Sequence, residues 1–405
     1  MKQYFKTSAF LFILLVILFF PVELNLFPWQ KQITQTLFNG LTFLTANAIG
    51  YPLIHCDFSS DSASMYFLFV VLGILALTFA TAFHVNAKFF EQRLKLFSLI
   101  RTIATYYLAI ILLNYGFNKV FKWQFYMPEP NTLYTPVGEL GKDMLYWTSM
   151  GTSWWYSFFA GIIEIIPAIL ILFRKTRVLG LLIALAVLIN VFAINIGFDI
   201  SVKLFSLFLM LLVLVLLKPQ LIALYDFFIL QKKTAIQEEN HFVIFKSERL
   251  HKTIKPFLIA FCLIETSYPY LVTMNFNDDV AQRNYLHGAY EPFKGNHLYL
   301  YPGIHGTASI KRFYIHRHGY LVLETYDGKM RDFHLQIDST RHTFYCSGYD
   351  GKKFTLAYYY EPADSTLTLS SNSDTKSIVE SKAINWRKLP AIRHQFHWVV
   401  DEYGK

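Results

Sequence analysis

Cysteine is scarce in this chain. Three of its 405 residues are cysteines, Cys56, Cys262 and Cys346, and they form no CxxC pair. Disulfide scaffolding, zinc ligation and dithiol redox chemistry therefore have no support in the sequence. One long-range bridge, Cys56–Cys346, stays open if both residues lie outside a membrane. Charge is scarce as well: 16% of residues are charged and 54% are apolar. There is no Gly-rich phosphate loop, which argues against a nucleotide site, and no internal repeat or low-complexity tract. Histidines are many, but no HxxxH or HExxH spacing occurs. His316-Arg-His318 and His394-Gln-Phe-His397 are weak metal signals, so no metal is expected. The remaining histidines of the C-terminal region (His287, His297, His305, His334 and His342) read as surface or strand-packing residues. The formal charge of +9 does not imply a nucleic-acid partner, because in a membrane protein Lys and Arg largely set orientation.

What the sequence has instead is long hydrophobic runs. Between Thr152 and Lys218 lie TSWWYSFFAGIIEIIPAILILF, RVLGLLIALAVLINVFAINIGF and SVKLFSLFLMLLVLVLL, separated by the basic joint 174–176 and a tight turn around Asp199. Each meets the roughly 20 apolar residues that a bilayer-crossing helix needs. Further runs predict spans near 7–27, 65–83, 97–115 and 256–274, the last being the least apolar because of Glu265 and Pro269. The first span lacks a small-x-small cleavage site and is expected to be retained. Within 28–63, Ile33, Leu37, Leu41 and Leu44 recur at helical spacing and predict a short interfacial helix. Ser59-Ser60-Asp61-Ser62 reads as the N-terminal cap of the second span. The loop 118–152, rich in Pro, Gly and aromatic residues, reads as a segment lying in the membrane interface.

Orientation follows from the basic residues. With the N-terminus inside, the segments 1–6, 84–101, 174–177 and 218–255 carry about 16 Lys and Arg, against about 5 in the outer loops up to residue 203. Seven spans then place the C-terminal region outside. That region, 284–405, alternates polar and apolar residues and is punctuated by His318-Gly319, Asp327-Gly328, Asp350-Gly351 and Glu361-Pro362. Six to eight strands joined by such turns predict an antiparallel meander curled into a small barrel or sandwich.

The fold expected is an all-α membrane bundle of about seven transmembrane helices with a small antiparallel all-β C-terminal domain. The expected divisions are 1–96, two leading spans with an outer interfacial segment; 97–230, a four-helix core; 231–283, a cytoplasmic connector and the seventh span; and 284–405, the β domain.

Polar residues inside apolar spans are the candidates for chemistry. Glu164 lies near the middle of the fourth span, where a carboxylate costs about 2.5–3.5 kcal/mol on insertion scales. It must face the bundle, be paired or be protonated. A proton-linked catalytic role and a structural hydrogen bond are both open. Asn114 and Asn118 on the third span, and Asn190 and Asn195 on the fifth, read either as interhelical glue or as ligand contacts. Asp199 and Lys203 are four apart and suited to an ion pair. With Lys119, Lys122, Gln124, Asn118 and Asn195 they make a candidate polar pocket at the outer membrane face, the alternative being that the Lys residues snorkel and the pair locks a turn.

The segments YY…YGFNKVFKWQF at 106–125, GIIEIIPAILILFRKTRVLGLLIALAVLIN at 161–190 and NIGFDISVKLFSLFLMLL at 195–212 resemble the DoxX-like membrane proteins. The Glu164 helix, the basic joint with Thr176-Arg177 and the Gly180 span match best, and the likeness covers about 97–230. It implies a four-helix membrane core. Longer relatives are similar beyond it, with two leading spans and an outer β domain ending in an FHW-type motif, here Phe396-His397-Trp398. The family takes its name from a subunit of a thiosulfate:quinone oxidoreductase, so the resemblance implies quinone as a candidate cofactor. The CxxC chemistry of redox relatives is absent.

Two functions are carried forward. One is a non-catalytic assembly or envelope component of a bacterial inner membrane, whose outer β domain binds a membrane or periplasmic partner or lipid. The other is a subunit of a quinone-linked membrane oxidoreductase, with Glu164 proton-linked and Asn114, Asn118, Lys119, Asn190, Asn195, Asp199 and Lys203 holding quinone or a small substrate. A transporter is disfavoured, since neither an inverted repeat nor a pair of broken helices is visible.

Overall fold

A computed structural model of the chain describes residues 2–20, 24–26, 29–48, 50, 60–235, 248–295, 297–298, 308–371, 374–393 and 398. It divides into two compact units: a helical unit of 1–124 with 155–277, and a β unit of 125–154 with 278–405.

The helical unit is built from α1 (Lys2–Phe19), α2 (Trp29–Ala48), α3 (Ala63–Val85), α4 (Ala87–Glu91), α5 (Arg93–Val120), α8 (Trp154–Leu172), α9 (Arg177–Gly197), α10 (Lys203–Leu217), α11 (Leu221–Phe228) and α12 (Glu248–Thr273). Among the described residues six helices are long and apolar enough to cross a membrane, counting α10 and α11 as one stretch, and α1 is a shorter apolar helix. The protein is thus a multi-pass membrane protein. The first span expected near 7–27 starts earlier and is over by Phe19. The interfacial helix predicted within 28–63 is α2, twenty residues long.

The core of this unit gathers on α5, whose Ile100, Ala104, Leu108, Leu112 and Leu113 are buried among side chains of α1, α3, α8, α9, α10 and α12. Small residues set two of the crossings, because without a Cβ one helix can approach another closely. A Cβ on Gly116 of α5 would lie 2.9 Å from the carbonyl oxygen of Gly161 on α8, and one on Gly180 of α9 would meet the Pro167 carbonyl oxygen at 2.9 Å. The turn around Asp199 follows from helix termination. Asp199 adopts φ +52°, a left-handed position that Asp tolerates better than most residues, and the Ile200 N–H returns to the Asn195 carbonyl.

The β unit is an antiparallel barrel. Its strands are β1 (Gly288–Lys294), β2 (His297–Leu298), β3 (Ala308–His316), β4 (Tyr320–Thr325), β5 (Met330–Asp338), β6 (Thr343–Ser347), β7 (Lys353–Glu361), β8 (Thr366–Ser371) and β9 (Asp374–Ile384). Strands β3 to β9 form a meander, and β1 pairs with both β9 and β3, which closes it; β2 adds a short edge to β3. Closure removes the exposed edges that an open sheet would present. The turns fall where the sequence marked them, with Gly319, Gly328 and Gly351 at positive φ. Alternate residues fill the interior, among them Phe313, Leu321, Phe333, Phe344, Leu356 and Leu369.

The segment 118–152 differs from expectation. From Phe125 onward it belongs to the β unit, as α6 (Pro130–Tyr134), a 3-10 turn and α7 (Lys142–Thr152). Part of it packs on the barrel: Met127, Leu133 and Tyr134 pack with Tyr314, Val322, Trp386 and Ile392 in a second small core. Cys346 is a free thiol in the barrel core, pushed up to about 12 by burial. Cys56, the other end of the possible bridge, lies outside the described residues, as do His305, His394, Phe396 and His397.

Candidate functional site

The end of α5 carries the site. Asn114, Tyr115, Asn118 and Lys119 fall on its last two turns, and α5 closes through a left-handed Lys122 (φ +62°) whose neighbours Trp123 and Gln124 both donate to the Asn118 carbonyl. Beside it lies a cavity of about 470 Å³. Its apolar wall includes Phe20, Ile111, Tyr115, Trp123, Phe205 and Tyr270, and its polar wall Asn25, Asp61, Asn114, Asn118 and Thr266. Ligand sites commonly take this form, mostly apolar with a few polar groups that fix orientation.

Each polar group has a distinct status. Asn118 Oδ1 accepts from the Tyr270 hydroxyl at 2.8 Å. Asn114, about 9 Å inside the end of α5 at 1.5 Å per residue, faces the cavity and makes no side-chain hydrogen bond among the described residues. Asp61 was expected to help cap the second span. Ser62 does that, accepting from Met65 N, while Asp61 caps α10 by accepting from Lys203 N at 2.7 Å and Leu204 N at 3.0 Å. Lys203 Nζ lies 2.7 Å from Asp199 and 4.0 Å from Asp61. The expected Asp199–Lys203 pair therefore forms, and Lys203 reaches the cavity wall through Asp61.

Glu164 and Lys119 were placed apart in the sequence reading; the structure brings them together. Lys119 Nζ is 2.7 Å from Glu164 Oε2, and both residues are buried, at 7% and 4% exposure. Ser157 donates to the Lys119 carbonyl at 2.7 Å, and Lys119 Nζ sits 5.3 Å from the Tyr115 ring centroid. Tyr115 borders both the pair and the cavity; neither Lys119 nor Glu164 lines the cavity. The remaining candidates lie elsewhere. Asn195 donates to Ser206 Oγ at 3.0 Å and ties α9 to α10. Asn190 is exposed on α9. The pocket expected around Asn118, Lys119, Asn195, Asp199 and Lys203 is thus not one site: Asn118 lines the cavity together with Asn114, Lys119 pairs with Glu164, Lys203 pairs with Asp199, and Asn195 lies apart, as does the separately considered Asn190.

Sequence reasoning missed the α12 side. Glu265 is fully buried and accepts from the backbone N–H groups of Asn25 and, at 3.1 Å, Leu26. Trp123 stacks edge-on against Tyr270 and donates to the Asn275 carbonyl. The available signal was the polar character of the seventh span, with Glu265, Tyr268, Pro269 and Tyr270 in one turn and a half.

The β unit holds a second buried network. Glu129, 2% exposed, hydrogen-bonds His287 at 2.8 Å and Arg317, and Arg317 also pairs with Asp278. Burial opposes ionisation of Glu129, but the bond to His287 and the charges of the facing His316 and Arg317 hold its carboxyl down at about 2. Burial lowers His316 to about 4, against the raising influence of Glu129. Arg317 stacks on Tyr126 at 4.3 Å. This network fastens the 125–134 segment to the barrel. Among the described residues no cluster of three or more His, Cys, Asp or Glu could hold a metal ion.

No family model matches the sequence, and no solved structure matches it. Over 112 residues, 27% of its length, the chain is 36% identical to the uncharacterized protein YwoB of Bacillus subtilis (strain 168), covering 70% of that protein. The chain belongs to the same family as YwoB.

Proposed function

We propose that the protein is a non-catalytic component of a bacterial inner membrane whose helical unit holds a lipid-soluble molecule with a carbonyl or hydroxyl head, of the quinone class. The N-terminus lies in the cytoplasm and the β unit outside, as the distribution of Lys and Arg supports. One observation carries the reading: the amide of Asn114, without a side-chain partner among the described residues, on the wall of a largely aromatic cavity beside α5. Asn114 is half-buried, and a ligand carbonyl would accept from its amide while the ligand ring packs against Tyr115, Trp123 and Tyr270. The outer β unit then serves as the surface for a periplasmic or membrane partner.

The second reading is the quinone-linked oxidoreductase subunit of DoxX-like type. The placement of Glu164 argues against it as a catalytic proton donor, because it is paired with Lys119 and does not line the cavity. Titration with a short-chain menaquinone analogue tests the proposal. Trp123 emission should be quenched, Trp123→Phe should remove that component, and Asn114→Leu should weaken binding roughly two- to twelve-fold, the worth of one hydrogen bond. Unchanged affinity in Asn114→Leu would remove the amide from the site. Quinol-dependent electron transfer abolished by Glu164→Gln, in protein that remains folded, would favour the second reading.

A further inference from the structure

Tyr270 of α12 and Asn118 of α5 meet at the cavity wall, where the Tyr270 hydroxyl donates to Asn118 Oδ1 at 2.8 Å. That bond decides which end of the amide is committed. With Oδ1 taken, what Asn118 has left to offer is Nδ2, which makes no hydrogen bond among the described residues. An amide nitrogen donates and does not accept.

Both partners are held in place. Tyr270 is 3% exposed, and its ring is boxed by Phe121, Trp123 and Phe117 at centroid distances of 4.5, 4.9 and 6.3 Å. The Asn118 backbone is anchored by Trp123 and Gln124, whose N–H groups donate to its carbonyl at 2.8 and 2.9 Å. Other polar groups of the wall differ. Asn114, one turn back on the same face of α5, and the Tyr115 hydroxyl make no hydrogen bond among the described residues, and each can donate or accept. Asp61 is engaged by the N–H groups of Lys203 and Leu204, and the Thr266 hydroxyl donates to the Cys262 carbonyl at 2.8 Å. Asn25 is fixed in the opposite sense, its Nδ2 donating to the Glu265 carbonyl at 3.3 Å, but it is exposed whereas Asn118 is half-buried. Asn118 is thus the fixed donor of the more buried wall.

We infer that Tyr270 is a positioning residue that sets which redox form of a head group the cavity prefers. By holding Asn118 as a donor, it favours a carbonyl oxygen, as in an oxidised quinone, over the hydroxyl of the reduced form. The inference rests on the cavity being a ligand site for the quinone class. A carbonyl oxygen brings lone pairs and no proton to the amide N–H. A hydroxyl in the same place must turn its proton away from Nδ2 towards a different acceptor. One hydrogen bond made or missed is worth roughly two- to twelve-fold in affinity.

The test uses the full chain in detergent under anaerobic conditions. Isothermal titration calorimetry compares a short-chain menaquinone analogue with the same analogue reduced to its quinol. The unmutated protein should bind the quinone roughly two- to twelve-fold more tightly. Tyr270→Phe keeps the ring in its box and removes the hydroxyl, so the two affinities should converge. Asn118→Leu should abolish the preference with Tyr270 intact, and it decides the question if Tyr270→Phe does not fold. Asn114→Leu should weaken both forms and leave their ratio unchanged, since that amide turns to suit either. Equal affinities in the unmutated protein, tighter binding of the quinol, or a preference that survives Asn118→Leu or a folded Tyr270→Phe would each overturn the inference and leave the ligand site standing. Binding of neither form would remove the ligand site and this inference with it.

Discussion

Gly116 of α5 and Gly161 of α8 cross with their backbones in contact: a Cβ built on Gly161 would lie 2.5 Å from the Gly116 carbonyl oxygen. Three residues further along each helix stand Lys119 and Glu164, paired at 2.7 Å. The crossing and the ion pair are one device, since residues three apart share a helix face. Gly161→Ala should therefore force α5 and α8 apart and loosen the pair. Overpacking of this kind costs about 1–3 kcal/mol, to be read as a lowered thermal midpoint in detergent. An unchanged midpoint would mean that the crossing is not tight.

Removing one partner of the pair should harm the protein more than removing both. Glu164→Gln or Lys119→Met leaves a charge buried without its partner, at a cost of about 3–5 kcal/mol. Lys119→Met combined with Glu164→Gln should recover most of that loss. A double-mutant cycle of thermal midpoints checks this, and additive losses would show that the two side chains do not interact.

Asp61 makes a third case. It caps α10 through Lys203 N and Leu204 N while bordering the cavity. Asp61→Ala should destabilise α10 by about 0.5–2 kcal/mol and increase amide exchange in its first turn. Protection equal to that of the unmutated protein would refute the cap.

The β unit should lose stability in acid in two stages. His316 sits at about 4 in the folded protein against an ordinary 6.5, so the unfolded chain takes up this proton first. Its contribution is full above pH 6.5 and is lost as pH falls through 4. Glu129, at about 2 against 4.5, adds a loss between those two values. Near-ultraviolet circular dichroism of heated samples should show the midpoint falling from pH 7 to 4, with the upper limb flattened in His316→Asn. A pH-independent midpoint in the unmutated protein would contradict the assignment.

How much of this was legible depended on the range of the interaction concerned. The apolar runs that became α3, α5, α8, α9 and α10 were plain, because crossing hydrocarbon demands length and composition alone. The meander was plain from Asp327-Gly328 and Asp350-Gly351, because positive φ at a turn is a local requirement. β1 and β9 were not picked out, although their pairing is what closes the barrel. The attachment of 125–154 to the β unit was hidden too, since it rests on Glu129 meeting Arg317, 188 residues away. Lys119 and Glu164 were each visible as anomalies, but their pairing depends on the register of two helices. Asn190 and Asn195 show the same limit: both are amides on one span, one turned inward and the other outward, and composition does not tell them apart.

The central claim is that the cavity beside Asn114 is a ligand site. Native mass spectrometry of gently extracted protein tests it most directly. The protein should carry a bound lipid-soluble molecule of the quinone class that survives in Glu164→Gln and is depleted in Asn114→Leu. Unmutated protein that carries no such molecule, or retention equal in both variants, would contradict it.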